Sequence, residues 1–164
     1  DGLPALYAYD AEIHLASPTG KRSLPIGNFV HGPRKTALGP AEVITEIHIP
    51  KIMVQGTPIV FFEKVGPRKA QTITKASVAF HGWRHEGRIL DPRIALGAVA
   101  PTVVRATEAE ECLSDDASLK GVQLAAERLS KIAAPIDDIR STAEYRRKLV
   151  SGLLVRGFMK SAEA

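Results

Sequence analysis

A chain of 164 residues with 45% hydrophobic content suits one domain, or one small domain plus a piece of another, and no apolar run approaches the roughly 18 residues of a membrane helix. The formal charge is +4, but the basic residues are scattered and no aromatic residue interleaves with a basic patch, which argues against a nucleic-acid partner. A single cysteine, Cys112, excludes an internal disulfide and any Cys-rich zinc or iron–sulfur site, and fits a reducing, cytoplasmic compartment.

The chain opens on Asp1-Gly2 rather than Met, as a trimmed or partial polypeptide would. Residues 3–15 (LPALYAYDAEIHL) start with a proline and read as becoming a strand, with Ala11, Ile13 and Leu15 alternating against Glu12, His14 and Ala16. Ser17-Pro18-Thr19-Gly20 is a turn, and residues 21–26 are the returning partner of a hairpin. Residues 28–38 read as a loop around Gly32-Pro33. Residues 42–49 (EVITEIHI) alternate again. Val43, Thr45, Ile47 and Ile49 are expected on one face, and Glu42, Ile44, Glu46 and His48 on the other, which makes Ile44 the apolar exception on a polar face. Residues 50–58 read as a linker, with a domain boundary near residue 55.

Residues 61–80 (FFEKVGPRKAQTITKASVAF) read as the organising hairpin, two extended segments joined at Gly66-Pro67. Alternation is expected from Thr72 through Thr74, Ala76 and Val78 to Phe80. Lys64, Arg68, Lys69 and Lys75 surround the turn with Glu63 as the nearby carboxylate. Such a turn is either a solvated tip or a platform offering cations to an anionic ligand. Residues 83–88 form a polar turn, and residues 89–100 a third strand. Helical periodicity then takes over. Thr107-Glu108-Ala109-Glu110 and Ser141-Thr142-Ala143-Glu144 have capping-box form. They predict a short helix ending near Leu113 and a longer one with Tyr145, Leu149 and Leu153 beside Val150, Leu154 and Phe158. Between them, residues 117–133 form an amphipathic helix on Leu119, Val122, Ala125, Ala126, Leu129 and Ile132. Strands followed by helices make an α+β chain, ending in a small domain of three antiparallel strands packed with helices.

Self-sufficient chemistry is absent. There is no P-loop, no GxGxxG and no GxSxG elbow. His81 and His85 flank a predicted turn rather than sharing a helix face, so no metal site is expected there. Asp115-Asp116 and Asp137-Asp138 precede helices and read as caps. Cys112 lacks a basic activator in sequence and reads as a structural thiol.

Four ordered segments carry a resemblance: NFVHGPRKTALGPAEVITEIHIP, FFEKVGPRKAQTITKASVAF, RIALGAVAPTVVRATEAE and IRSTAEYRRKLV. Together they resemble the flavin-binding subunit of molybdenum hydroxylases, and within it bacterial xanthine dehydrogenase flavin subunits. The resemblance implies that residues 1–55 are the C-terminal part of an FAD-binding domain and residues 56–164 the subunit's C-terminal domain. The Gly-rich segments that hold the FAD pyrophosphate belong upstream of Asp1. Asp1 then matches an aspartate that contacts ribityl or ribose hydroxyls, Ile44 an aliphatic residue on the isoalloxazine ring, and Lys64 a lysine near the flavin. Arg68 and Lys69 match the loop where a nicotinamide cofactor approaches. Some relatives carry a carboxylate where Gln71 stands. The implied partners are the upstream half of the subunit, an iron–sulfur subunit, a molybdenum-cofactor subunit, and NAD or another acceptor. The implied role is electron transfer from iron–sulfur clusters through FAD. The alternative is a non-catalytic domain that docks partner subunits without binding FAD.

Overall fold

The computed structural model describes residues 1–51, 54–68 and 71–163. The chain begins with a short helix, α1 (Gly2–Ala8), where a strand was expected. Pro4 falls in its first turn, where the missing N–H has no helical acceptor to lose. Tertiary burial of Pro4, Tyr7 and Ala8 holds this helix against the weak propensity of so short a segment. The expected hairpin follows as β1 (Glu12–Ser17) and β2 (Gly20–Pro25), in register from Glu12 opposite Pro25 to Ser17 opposite Gly20. The loop expected over residues 28–38 instead contains the end of α2 (Ile26–Phe29) and a small hairpin of β3 (Val30–Gly32) and β4 (Lys35–Thr36).

β5 (Val43–His48) pairs with the free edge of β1, giving the order β2-β1-β5. Its register slips once. Leu15 lies opposite Ile44 while His14 lies opposite Glu46, so Thr45 is an extra residue in a bulge. The slip overturns the simple alternation expected for this strand. Directly opposed residues share a face, so Ile44 joins Ile47 on the side of Leu15 and Ile13, away from Glu46 and His48.

The second sheet is antiparallel: β6 (Thr57–Val65), β7 (Ala76–His85), β8 (Arg88–Gly97) and the short β9 (Val104–Arg105). The expected sheet thus gains a fourth strand. Pairing between β6 and β7 begins at Val65 opposite Ala76, so Thr72 and Thr74 lie in the connection rather than in the strand. β7 runs on to His85, and the turn expected over residues 83–88 shrinks to Glu86-Gly87. Three helices follow: α3 (Thr107–Asp115), α4 (Leu119–Ile132) and α5 (Ala143–Glu163).

Period-two alternation along the central strands feeds two cores. Val78, Phe80, Ile94 and Leu96 face the helices, with Leu113, Leu129, Val150, Leu154 and Phe158. Ala79 and Ala95, opposite one another, face the other way, onto Tyr7, Ala8, Ile13, Leu15, Ile26 and Phe29. Small residues on that face let α1 approach. A Cβ at Gly97 would meet Pro4 Cγ at 2.7 Å and clash with Ser77. Each fully buried large apolar side chain contributes about 1.5–3 kcal/mol, so the Phe61–Phe80–Phe158 cluster is a major anchor of α5 on the sheet.

Candidate functional site

α1 and the connection between β6 and β7 meet at Asp1. This residue is the N-cap of α1, but its carboxylate does not cap the helix. It accepts hydrogen bonds from Lys64 Nζ and Thr74 Oγ1, one on each oxygen. Both contacts cross more than sixty residues of sequence. Asp1 and Lys64, named from the resemblance, are therefore brought together. Thr74 was missed as a site residue, because alternation alone placed it in a strand. Ionised carboxylate oxygens offer about four lone-pair sites, so two acceptor positions of Asp1 stay open to a ligand hydroxyl. The Asp1 side chain is 46% exposed and that of Lys64 29%, which leaves the pair reachable from solvent.

The connection itself is shaped by Arg68, whose guanidinium donates twice to the Gln71 carbonyl, through Nε at 2.8 Å and through Nη2. Gln71 has a φ of 45°, in the left-handed region. Lys69 lies outside the described residues. Thr72 Oγ1 is buried and finds no partner among the described residues, a polar atom still to be satisfied. Two depressions adjoin it. One, about 440 Å³, is lined by Lys64, Val65, Gly66, Arg68, Thr72 and Arg156. The other, about 500 Å³, lies among Pro67, Arg68, Gln71, Ile73, Lys75 and Arg140. The rims of these depressions carry the cations Lys64, Arg68, Lys75, Arg140 and Arg156 around the unpartnered Thr72 hydroxyl, an arrangement suited to polar, anionic groups rather than to a metal ion.

Ile44 sits on the other sheet, 47% exposed, and no described interaction joins it to Asp1 or Lys64. Glu63, the carboxylate near the turn, points into the helical layer instead. Burial would raise its pKa, but hydrogen bonds from Lys160 and Arg156 outweigh that and hold it below the usual carboxylate range. It ties β6 to α5. A comparable tie fixes the end of α1, where Asp10 accepts from Arg93 and Arg105 and Arg105 also reaches Glu110 at 2.9 Å. Glu110 spends its carboxylate on Arg105 and on the Ile94 N–H at 2.7 Å, so the expected capping box at Thr107 does not form. The box expected at Ser141 is displaced by one residue, with Thr142 Oγ1 accepting from the Tyr145 N–H at 3.2 Å. Of the paired acids, Asp116 and Asp137 act at helix starts as expected, whereas Asp138 also holds the buried Arg146 at 2.5 Å.

His81 and His85 lie on one strand rather than around a turn. His81 is buried between Tyr9 and Trp83, with ring centroids at 4.5 and 4.4 Å. Cys112 donates to the Glu108 carbonyl and packs against the helical core. None of the helices formed by the described residues is long and apolar enough to cross a membrane.

Residues 62–161 match the CO dehydrogenase flavoprotein C-terminal domain family, and residues 1–52 match the FAD binding domain in molybdopterin dehydrogenase. The carbon monoxide dehydrogenase medium chain of Hydrogenophaga pseudoflava is 33% identical over 98% of this chain and 55% of its own length. The xanthine dehydrogenase FAD-binding subunit of Escherichia coli O157:H7 is 29% identical over 92% of this chain and 51% of its own. The chain thus spans about half the length of the curated relatives it matches. A solved carbon monoxide dehydrogenase from Hydrogenophaga pseudoflava, one lacking the Mo-pyranopterin moiety of its cofactor, superposes with a TM-score of 0.90 at 30% identity, covering 99% of this chain and 56% of that one.

Proposed function

The chain belongs to the FAD-binding subunit family of molybdenum hydroxylases, and from that premise we propose that it forms the flavin-facing half of such a subunit. The observation that carries this reading is the Asp1–Lys64–Thr74 junction, where the N-terminal segment meets the connection between β6 and β7. In this reading Asp1 accepts hydroxyl protons of the FAD sugar or ribityl chain, and Thr74 and Lys64 hold the carboxylate in place. Lys64 also sets a positive charge near the ring system, which favours the electron-rich reduced form. Ile44 offers an apolar surface to the isoalloxazine ring. When bound, FAD supplies the two-electron relay between iron–sulfur clusters and an acceptor such as NAD. Arg68, with its neighbour Lys69, provides positive charge that steers a dinucleotide to that edge. The molybdenum and iron–sulfur centres belong to partner subunits, and the domain boundary falls near residue 55.

The pyrophosphate of FAD needs closely spaced backbone N–H donors from a Gly-rich turn. Gly32-Pro33 and Gly66-Pro67 each lose a donor to proline. Residues upstream of Asp1 therefore complete the cofactor site. The test is to titrate FAD calorimetrically into the chain alone and into the chain joined to the upstream half of a relative. Stoichiometric binding is expected only in the second, and Asp1→Ala there should weaken it. Tight FAD binding by the 164 residues alone would misplace the site. Binding by neither, with partner subunits still docking, would favour the non-catalytic alternative.

A further inference from the structure

The polar face of the β2-β1-β5 sheet carries a cluster that the flavin reading does not use. Glu12 and His14 stand two apart on β1, hence on one face. Across the pairing, Glu12 lies opposite His48 and His14 opposite Glu46. The bulge at Thr45 keeps Glu46 and His48 in phase with His14 and Glu12 while sending Ile44 to the opposite face. Two acids and two imidazoles thus meet on one patch.

We propose that Glu12, His14 and His48 form a binding site for a divalent transition-metal cation of the zinc class. One ligand atom from each lies within 4.8 Å of the other two. Metal–nitrogen and metal–oxygen bonds of about 2.0–2.2 Å place tetrahedral donors roughly 3.3 Å apart, so modest rotation of exposed side chains closes the set. The two imidazole rings are already 3.7 Å apart, centroid to centroid. Two imidazolium cations at that separation would repel, whereas two neutral rings sharing a cation would not. The carboxylates are ordered as well. Ser23 Oγ donates to Glu12 Oε1 at 2.6 Å, leaving Oε2 toward His14 Nε2 at 3.3 Å. That is the hydrogen-bonded support which orients a ligating carboxylate. Glu46 Oε2 lies 2.5 Å from His48 Nε2 on the same patch. Two imidazoles and a carboxylate select zinc, nickel, cobalt or copper over magnesium or calcium, which prefer all-oxygen sets. Three protein ligands leave a fourth position for water or a group from another chain.

The experiment is to strip the full chain with a chelator and titrate Zn²⁺ by calorimetry, with Co²⁺ absorption as an independent report of coordination. One equivalent should bind. His14→Ala and His48→Ala should each weaken binding by roughly 10-fold or more, and Ser23→Ala by at least about 10-fold if it orients Glu12. His85→Ala, on the other sheet, should leave binding unchanged. Near-isosteric Glu12→Gln guards against loss of the fold, which circular dichroism monitors in every variant. Absence of saturable Zn²⁺ binding, or equal affinity in the His14, His48 and His85 variants, would overturn the site. Because the readout is metal alone, either result leaves the flavin assignment where it stands.

Discussion

A buried histidine supplies the clearest pH response at the level of single residues. Burial lowers the pKa of His81 and the Arg93 charge lowers it further, with Asp91 opposing. Its folded-state value is therefore below that of the unfolded chain, about 6.5. Stability from the neutral ring is present above that unfolded value and is lost as pH falls through the folded value, because the unfolded chain takes the proton first. Urea midpoints should fall across this window, and His81→Phe should flatten the fall. A wild-type slope in the variant would assign the effect to other groups. Lys64 is testable by potentiometry once FAD is loaded. Lys64→Met should make the flavin harder to reduce, by about 30 mV for an effect near 1.4 kcal/mol, while Lys64→Arg restores most of it. Asp1 and Lys64 were named from the family resemblance, and the structure brings the two together. Thr74 was not named, since its bond to Asp1 is a long-range meeting with no periodic signal, and the unpartnered Thr72 hydroxyl leaves no trace in sequence.

Among the elements, α5 offers a matched pair of tests. Alanine is about 0.8–1.0 kcal/mol better than glycine in a helix interior. At Gly152 an added Cβ meets nothing within 4 Å, so Gly152→Ala should raise stability by roughly that amount. At Gly157 the same methyl would run into the Phe61 ring, itself packed on Phe80 and Phe158. Gly157→Ala should therefore destabilise by about 1–3 kcal/mol despite the better propensity. Thermal melts of the two variants should move in opposite directions, and a shared direction would mean the Phe61 contact is softer than it looks. The long helices and the β1–β2 hairpin were legible because strong periodicity persists over them. α1 and the bulge in β5 were not. A seven-residue helix with a proline is made by what it packs against, and a single inserted residue reverses a face without altering composition. The capping boxes misled for a related reason, since Glu110 was recruited by Arg105 and the Ile94 backbone.

For the molecule as a whole, the decisive fact is that β7 and β8 are buried on both faces. Helices cover one side and the N-terminal segment the other. The order of strands and helices gave the α+β class, but alternation could not say that Ala79 and Ala95 face a second core. Side chains from both family segments, residues 1–52 and 62–161, meet in that second core. β5 is different. Val43, Ile44 and Ile47 on this outer strand, and Ile49 just beyond its end, are 61%, 47%, 46% and 53% exposed. Such an apolar edge favours association. Sedimentation of the chain alone should show concentration-dependent oligomers that disappear when the upstream half is present.

The shared sheet also bears on what happens when the backbone is interrupted. Lys51 is exposed, at the end of the first family segment and outside any helix or strand. A single tryptic cut there would sever the covalent link but not the interleaved burial of α1 and β1 on β7 and β8, nor the ion pairs from Asp10 to Arg93 and Arg105. The nicked protein should elute from a sizing column as one particle and melt in one transition, its halves parting only in denaturant.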